Sequence, residues 1–192
     1  MAKIELNTMV NAIRGQVDKA VFRKVRGQTI LGRKATHDGE LTPAQAAHQE
    51  RFLQAIEFGR SVMEDTALRV RYEAVAAERG VPVMAVCLKD FFNPPQILSI
   101  DAGAYNGQPG DVITIKTRDD FGLAKVVVAL IDTESSSPLE TGTAFETSPG
   151  SNKWLYTART PFTGSAVNVQ VTATDFPGGI TVRTEIKPLA AA

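Results

Sequence analysis

The feature that most constrains this chain is a series of short apolar runs between Gln96 and Ile186, each cut off by Gly, Pro, Asn or Asp. The clearest is Ala166–Thr174, AVNVQVTAT, where Val167, Val169, Val171 and Ala173 alternate with polar residues. A period of two sends alternate side chains to opposite faces of a strand, so this run asks for a second layer over its apolar face. Six further segments read the same way. They are Gln96–Asp101, Asp111–Thr117 (DVITIKT), Leu123–Asp132, Pro138–Phe145 as a weaker edge strand, Asn152–Arg159 with Trp154 and Tyr156, and Ile180–Ile186. Seven short strands with turn signals at this spacing predict a Greek-key β-sandwich.

Upstream of Asn93-Pro94-Pro95 the period changes. Thr42-Pro43-Ala44-Gln45 is a helix start: Thr caps, Pro suits the first turn, and Gln closes a capping box. Phe52, Ile56, Gly59 and Met63, with Ala55 and Val62, then recur at helical spacing. Asp65 or Thr66 caps a second helix whose face is Leu68, Tyr72, Val75 and Ala76, and Gly80 stops it. Val83–Phe92 fits either a short helix or a strand. Before all of this, Ala20–Val25 and Thr29–Leu31 flank Gly27-Gln28, which predicts a two-residue β-hairpin with Gly27 at its first turn position. Val21, Arg23 and Val25 would share one face, and Phe22, Lys24 and Arg26 the other. Neither face is apolar, so the hairpin needs something to pack on.

The fold class expected is therefore α+β. An N-terminal β-hairpin (residues 1–40) and a helical hairpin with its connector (41–94) precede a seven-stranded sandwich (95–192).

Charge separates the same segments. The whole chain is neutral, with 21 basic and 21 acidic residues. Residues 1–36 hold eight basic against two acidic residues, a net +6. Residues 37–92 and 93–192 are each −3, with six basic against nine acidic and seven against ten. Overall neutrality argues against a general nucleic-acid binder, and the basic segment has one aromatic, Phe22, and no stacking platform. A basic arm of Arg14, Lys19, Arg23, Lys24, Arg26, Arg33 and Lys34 instead suits an acidic protein partner or self-assembly. No apolar stretch approaches a membrane span, and the first residues lack the apolar core of a signal peptide, so cytoplasmic synthesis is expected, with incorporation into a virion or phage-like particle as one destination.

Residues 95–187 resemble bacterial Ig-like and fibronectin-III-like modules. The resemblance is carried by Pro95-Gln96-Ile97, by Gly110-Asp111 leading into VITIKT, and by Ala173-Thr174-Asp175-Phe176-Pro177-Gly178-Gly179. The last is similar to the A-x-D-x-x-G-N turn of such repeats, with Gly179 where Asn is usual. The resemblance implies an Ig-like sandwich and no particular activity. The chain departs from antibody-type domains: it has no cysteine pair, and Trp154 falls on the fifth strand. The N-terminal half, with Gly15 and the run L-T-P-A-Q-x-x-x-Q-x-R-F, resembles small bacterial and phage proteins and implies no activity.

Little in the chain points to catalysis. His37 sits in a loop and His48 on the first helix, neither with a serine or cysteine at a nucleophile's spacing, and no hydrolase, zinc or phosphate-loop motif is present. Cys87 lies in an apolar run and reads as a buried, inert thiol. Asp101, Asp111, Asp119, Asp120 and Asp175 sit near strand ends, where relatives hold Ca²⁺, but turn chemistry explains them more simply. Asp119 and Asp120 are adjacent and should not share a proton. No metal and no cofactor is expected. Trp154 and Tyr156, two apart on a strand, form a candidate ligand face, weighed against core packing. These readings predict a non-catalytic structural or assembly protein, with a cell-surface or secreted Ig-like module for glycan or protein as the alternative.

Overall fold

The computed structural model describes residues 2–4, 15–25, 27–34 and 39–189. The chain divides into two compact units, Met1–Ala46 and Ala47–Ala192, so the helices group with the sandwich.

The first unit holds an antiparallel sheet in the order β1-β4-β3-β2, from β1 (Ala2–Ile4), β2 (Gly15–Val17), β3 (Ala20–Val25) and β4 (Gln28–Arg33). The expected hairpin is β3–β4, widened to four strands. Val25 pairs with Gln28, which moves Gly27, at φ 82°, to the second turn position. A left-handed conformation there favours glycine. Asp18 takes a similar φ of 50° between β2 and β3, which Asp tolerates better than most residues. The register gives the mixed faces expected: Val21, Arg23 and Ile30 share one side, Phe22, Lys24, Leu31 and Arg33 the other.

Helix α1 (Pro43–Glu64) opens on the expected capping box. The Thr42 amide donates to Gln45 Oε1 at 2.9 Å, and the Gln45 amide donates to Thr42 Oγ1 at 3.3 Å. Helix α2 (Thr66–Arg79) is capped by Asp65, whose carboxylate accepts from the Ala67 and Leu68 amides, and it ends on left-handed Gly80. Asp65→Ala should cost about 1 kcal/mol of unfolding free energy in guanidinium titration. An unchanged midpoint would show that the cap adds nothing to this unit.

Val83–Phe92 is a helix, α3, and buries Val86, Cys87 and Asp90 at helical spacing. The packed face of α1 is the expected one at Ala55, Gly59 and Val62, which are buried, but Phe52 and Met63, also expected on it, are exposed. Gly59 lies at the helix crossing. Met84 of α3 approaches so closely that a Cβ at position 59 would strike its sulfur. The crossing is centred on small residues.

The sandwich strands are β5 (Gln96–Asp101), β6 (Val112–Arg118), β7 (Leu123–Asp132), β8 (Pro138–Glu146), β9 (Lys153–Thr157), β10 (Ala166–Asp175) and β11 (Ile180–Pro188). All seven match expected strands, and their order is β11-β10-β7-β8-β9-β6-β5. Strand β8 pairs with β7 over most of its length, and then Phe145 and Glu146 pair with β9. One layer is thus β11-β10-β7-β8 and the other β9-β6-β5, with β8 passing between them. The inward residues of β6, β7 and β10, among them Ile113, Ile115, Val126, Val128, Leu130, Val167, Val169 and Val171, form the core. The opposite side is an open seam between β5 and β11. It is bridged by Thr181 Oγ1 donating to the Pro95 carbonyl, Arg183 to those of Ile97 and Leu98, and Lys187 to that of Gly103.

Candidate functional site

The helices meet the sandwich through the β6–β7 turn and the end of β10. Phe121 from the turn stacks on Tyr72 of α2, with ring centroids 5.2 Å apart, and the Arg79 guanidinium lies over the Phe121 ring, also at 5.2 Å. Arg71 covers Phe176 at 4.6 Å. Leu68, Arg71, Tyr72, Val75, Phe121 and Phe176 enclose a small hollow of about 230 Å³.

Behind this aromatic layer lie carboxylates. Asp90 of α3 is wholly buried, and Tyr72 donates its hydroxyl to Asp90 Oδ2. Asp119 Oδ1 accepts from the Phe121 and Gly122 amides, both at 2.8 Å, which is the turn expected for it. Asp175, 2% exposed, accepts from the Gly179 amide at 2.5 Å. A Cβ at 179 would crowd that carboxylate, so the turn as folded favours glycine there. Turn chemistry explains one oxygen of Asp119 and of Asp175, and the Tyr72 hydroxyl one of Asp90. Asp90 Oδ1, Asp119 Oδ2 and Asp175 Oδ2 are all buried without a hydrogen-bond partner.

The electrostatics follow from this arrangement. Burial pushes the Asp90 carboxyl up to about 7, the Tyr72 hydrogen bond pulls it partly back, and Asp119, Asp175 and Asp120 add repulsion. Burial also raises Asp119 and Asp175, against the amides that bond them. Asp120 points the other way: it pairs with Lys89 Nζ at 2.7 Å, which lowers it. The adjacent carboxylates thus occupy different environments, as their separate faces predict. Burial and Asp90 raise the Cys87 thiol to about 11, consistent with an inert sulfur. Asp90 and Tyr72 are the site residues that sequence reasoning missed. The available signal was Asp90 on the same helical stripe as Val83, Val86 and Cys87.

A cleft of about 890 Å³ runs beside this junction along the β5–β11 seam, between Asn93–Leu98, Arg118–Asp120, Thr181 and Arg183. It carries both signs of charge and no nucleophile beside a base. His48 stacks on Phe92 at 6.1 Å on the exposed helix surface, and His37 lies outside the described residues. Among the described residues no three His, Cys, Asp or Glu side chains are arranged to hold a metal ion. No described helix is long and apolar enough to cross a membrane.

The other expected site residues divide. Trp154 and Tyr156 are 8% and 1% exposed, so the strand turns both rings into the core and no aromatic ligand face forms there. Trp154 Nε1 donates to Thr117 Oγ1 at 3.2 Å, which satisfies its one polar atom indoors. Of the basic arm, Lys19, Arg23, Lys24, Arg33 and Lys34 are exposed, and Arg14 and Arg26 lie outside the described residues. Lys19 and Lys34 are joined by a backbone hydrogen bond and, with Arg33, gather at one end of the sheet. Arg23 and Lys24 sit towards the other end of β3 on opposite faces.

No family model matches the chain, and no curated protein matches it. Among solved structures it is similar to CopC from Methylosinus trichosporium OB3b, with 10% identity and a TM-score of 0.39 over 50% of this chain and 94% of that one. A similarity of that size carries no argument about what this chain binds.

Proposed function

We propose that this is a non-catalytic assembly subunit, of the kind that builds a phage or phage-like particle, and that its basic N-terminal sheet docks on the acidic remainder of a neighbouring copy. One observation carries the reading. Among the described side chains of the first unit no apolar one is buried; Val17 and Val25 are exposed, and Thr29 and Gly32 are the buried positions. A small sheet with open faces is marginal in water and gains its missing burial from an apposed surface. Charge supports a copy of the same chain as the neighbour. Residues 1–36 carry +6 and the rest −6, so a head-to-tail contact brings opposite signs together and repeats without closing on a single pair.

Such a contact is salt-sensitive. Light scattering of the full chain should give a mass above 20.7 kDa at about 50 mM salt and a smaller one at about 500 mM, where charges are screened beyond ~5 Å. Reversing Arg33 and Lys34 together to Glu should lower the mass at low salt to that seen at high salt. A mass that ignores both salt and charge reversal would sink the docking role.

A further inference from the structure

The two outer faces of the sandwich differ in charge. On the β9-β6-β5 layer the outward residues include Lys116, Arg118 and Lys153, all exposed, as on an ordinary solvated sheet face. The β11-β10-β7-β8 layer is built otherwise. The valines of β10 enter the core, so Asn168, Gln170, Thr172 and Thr174 point out. Beside them in the register stand Ile180, Val182 and Ile186 of β11, and Val127, Ala129 and Ile131 of β7. Thr141 and Thr143 extend this face onto β8. The charges of β11 point the other way, where Arg183 and Lys187 bond carbonyls across the seam. Lys125, near the start of β7, is the one outward charge on the four strands.

This face is open. Ile180, Val182 and Ile186 are 61%, 53% and 69% exposed. Exposed apolar side chains on a surface stripped of charge mark a contact surface. Its size suits one. Four strands ~4.8 Å apart, over about nine residues at ~3.3 Å each, present roughly 550 Å² per copy. Two such faces together bury about 1,100 Å², which reaches the ~1,000 Å² of a specific interface.

The same properties select the partner. A neutral face gains nothing from a charged surface and would strip water from its charges. Among the described residues the other broad sheet faces carry charge: Arg23 on one side of the N-terminal sheet, Lys24 and Arg33 on the other, and Lys116, Arg118 and Lys153 on the second sandwich layer. The surface that matches in extent, flatness and neutrality is the same face of another copy. We propose that two copies stack their β11-β10-β7-β8 faces, sheet on sheet, about a twofold axis lying in the contact plane. Aligned sheets pack in this way inside sandwiches, about 10 Å apart. The contact is isologous and closes on a pair, and it does not depend on the head-to-tail docking of the N-terminal sheet.

The test uses the full chain at about 500 mM salt, where charge-driven docking is screened and apolar burial is not. At about 100 μM protein, light scattering should give twice the 20.7 kDa chain mass. Gln170 lies in the middle of the face, paired with Thr184 and Ala129. Gln170→Glu and Gln170→Lys should each raise the dimer dissociation constant at least about a hundredfold, because two like charges are then buried at the centre. An equimolar mixture of Q170E and Q170K should recover the dimer, since the twofold sets opposite charges together. Gln170 points outward, and the unfolding transition read by Trp154 fluorescence checks that both variants fold. Reversing Arg33 and Lys34 leaves this dimer intact, which separates it from the N-terminal contact. A monomer at 500 mM salt, a dimer indifferent to Q170E, or a mixture that stays monomeric would each overturn the stacking.

Discussion

Asp90→Asn is expected to stabilise the protein at pH 8 by about 1–3 kcal/mol, and to leave it nearly unchanged at pH 4. The ordinary aspartate value is 3.8, and burial brings Asp90 to about 7 in the folded chain. Between those values the native state keeps a proton that the unfolded chain has released. The contribution of Asp90 is therefore fully present below about pH 4, falls as pH rises, and is lost above about 7. Asparagine keeps an acceptor for the Tyr72 hydroxyl and never has to ionise. Guanidinium unfolding at several pH values should show a steep decline for the native chain and a shallower one for D90N. Some slope remains in the variant, because Asp119 and Asp175 are raised in the same direction. A variant that is destabilised at pH 8 would mean that Asp90 serves as a charged group, and would reverse this account.

The second large effect belongs to the sandwich core. Leu130 lies mid-strand on β7, opposite Val169 of β10 and Glu140 of β8, and is 1% exposed. Leu130→Ala should cost about 2–5 kcal/mol, from lost transfer energy and from a cavity that a two-layer sheet cannot close. That is a large share of the stability of a typical domain. Trp154, the one tryptophan, is buried in the same core and reports the transition by fluorescence. Ile186→Ala, on the exposed face of β11, is the control and should shift stability by less than about 0.5 kcal/mol in the monomer. Equal midpoints for the two variants would mean that Leu130 is not where the core is densest.

What was legible in the amino-acid order was whatever is decided locally. Each sandwich strand announces itself by alternation over a short run and by the turn that ends it, and the caps at Thr42 and Asp65 are complete within one helical turn. The N-terminal sheet was half legible. Its central hairpin has a turn signal, but Ala2–Ile4 and Gly15–Val17 are three residues each, too short for any period to show. The face of α1 was legible at Ala55, Gly59 and Val62, and only its bulky flanks, Phe52 and Met63, lie outside the packed surface. Phe52 and Met63 outweigh Gly59 on any apolar scale, yet the helix crossing selects the position where a side chain is missing. The carboxylate group behind Tyr72 was invisible for another reason. Asp90, Asp119 and Asp175 are far apart in the chain, each with an adequate local explanation, and only the docking of α3 on the β6–β7 turn makes them neighbours.

The seam between β5 and β11 has a mechanical consequence. Its bonds advance in step, Thr181 with Pro95, Arg183 with Ile97 and Leu98, Lys187 with Gly103, so the two strands run parallel. They are also the first and last strands of the sandwich. Tension applied through the chain at its two ends draws β5 and β11 past each other lengthwise. All the seam contacts are then loaded at once, in shear, instead of peeling one after another.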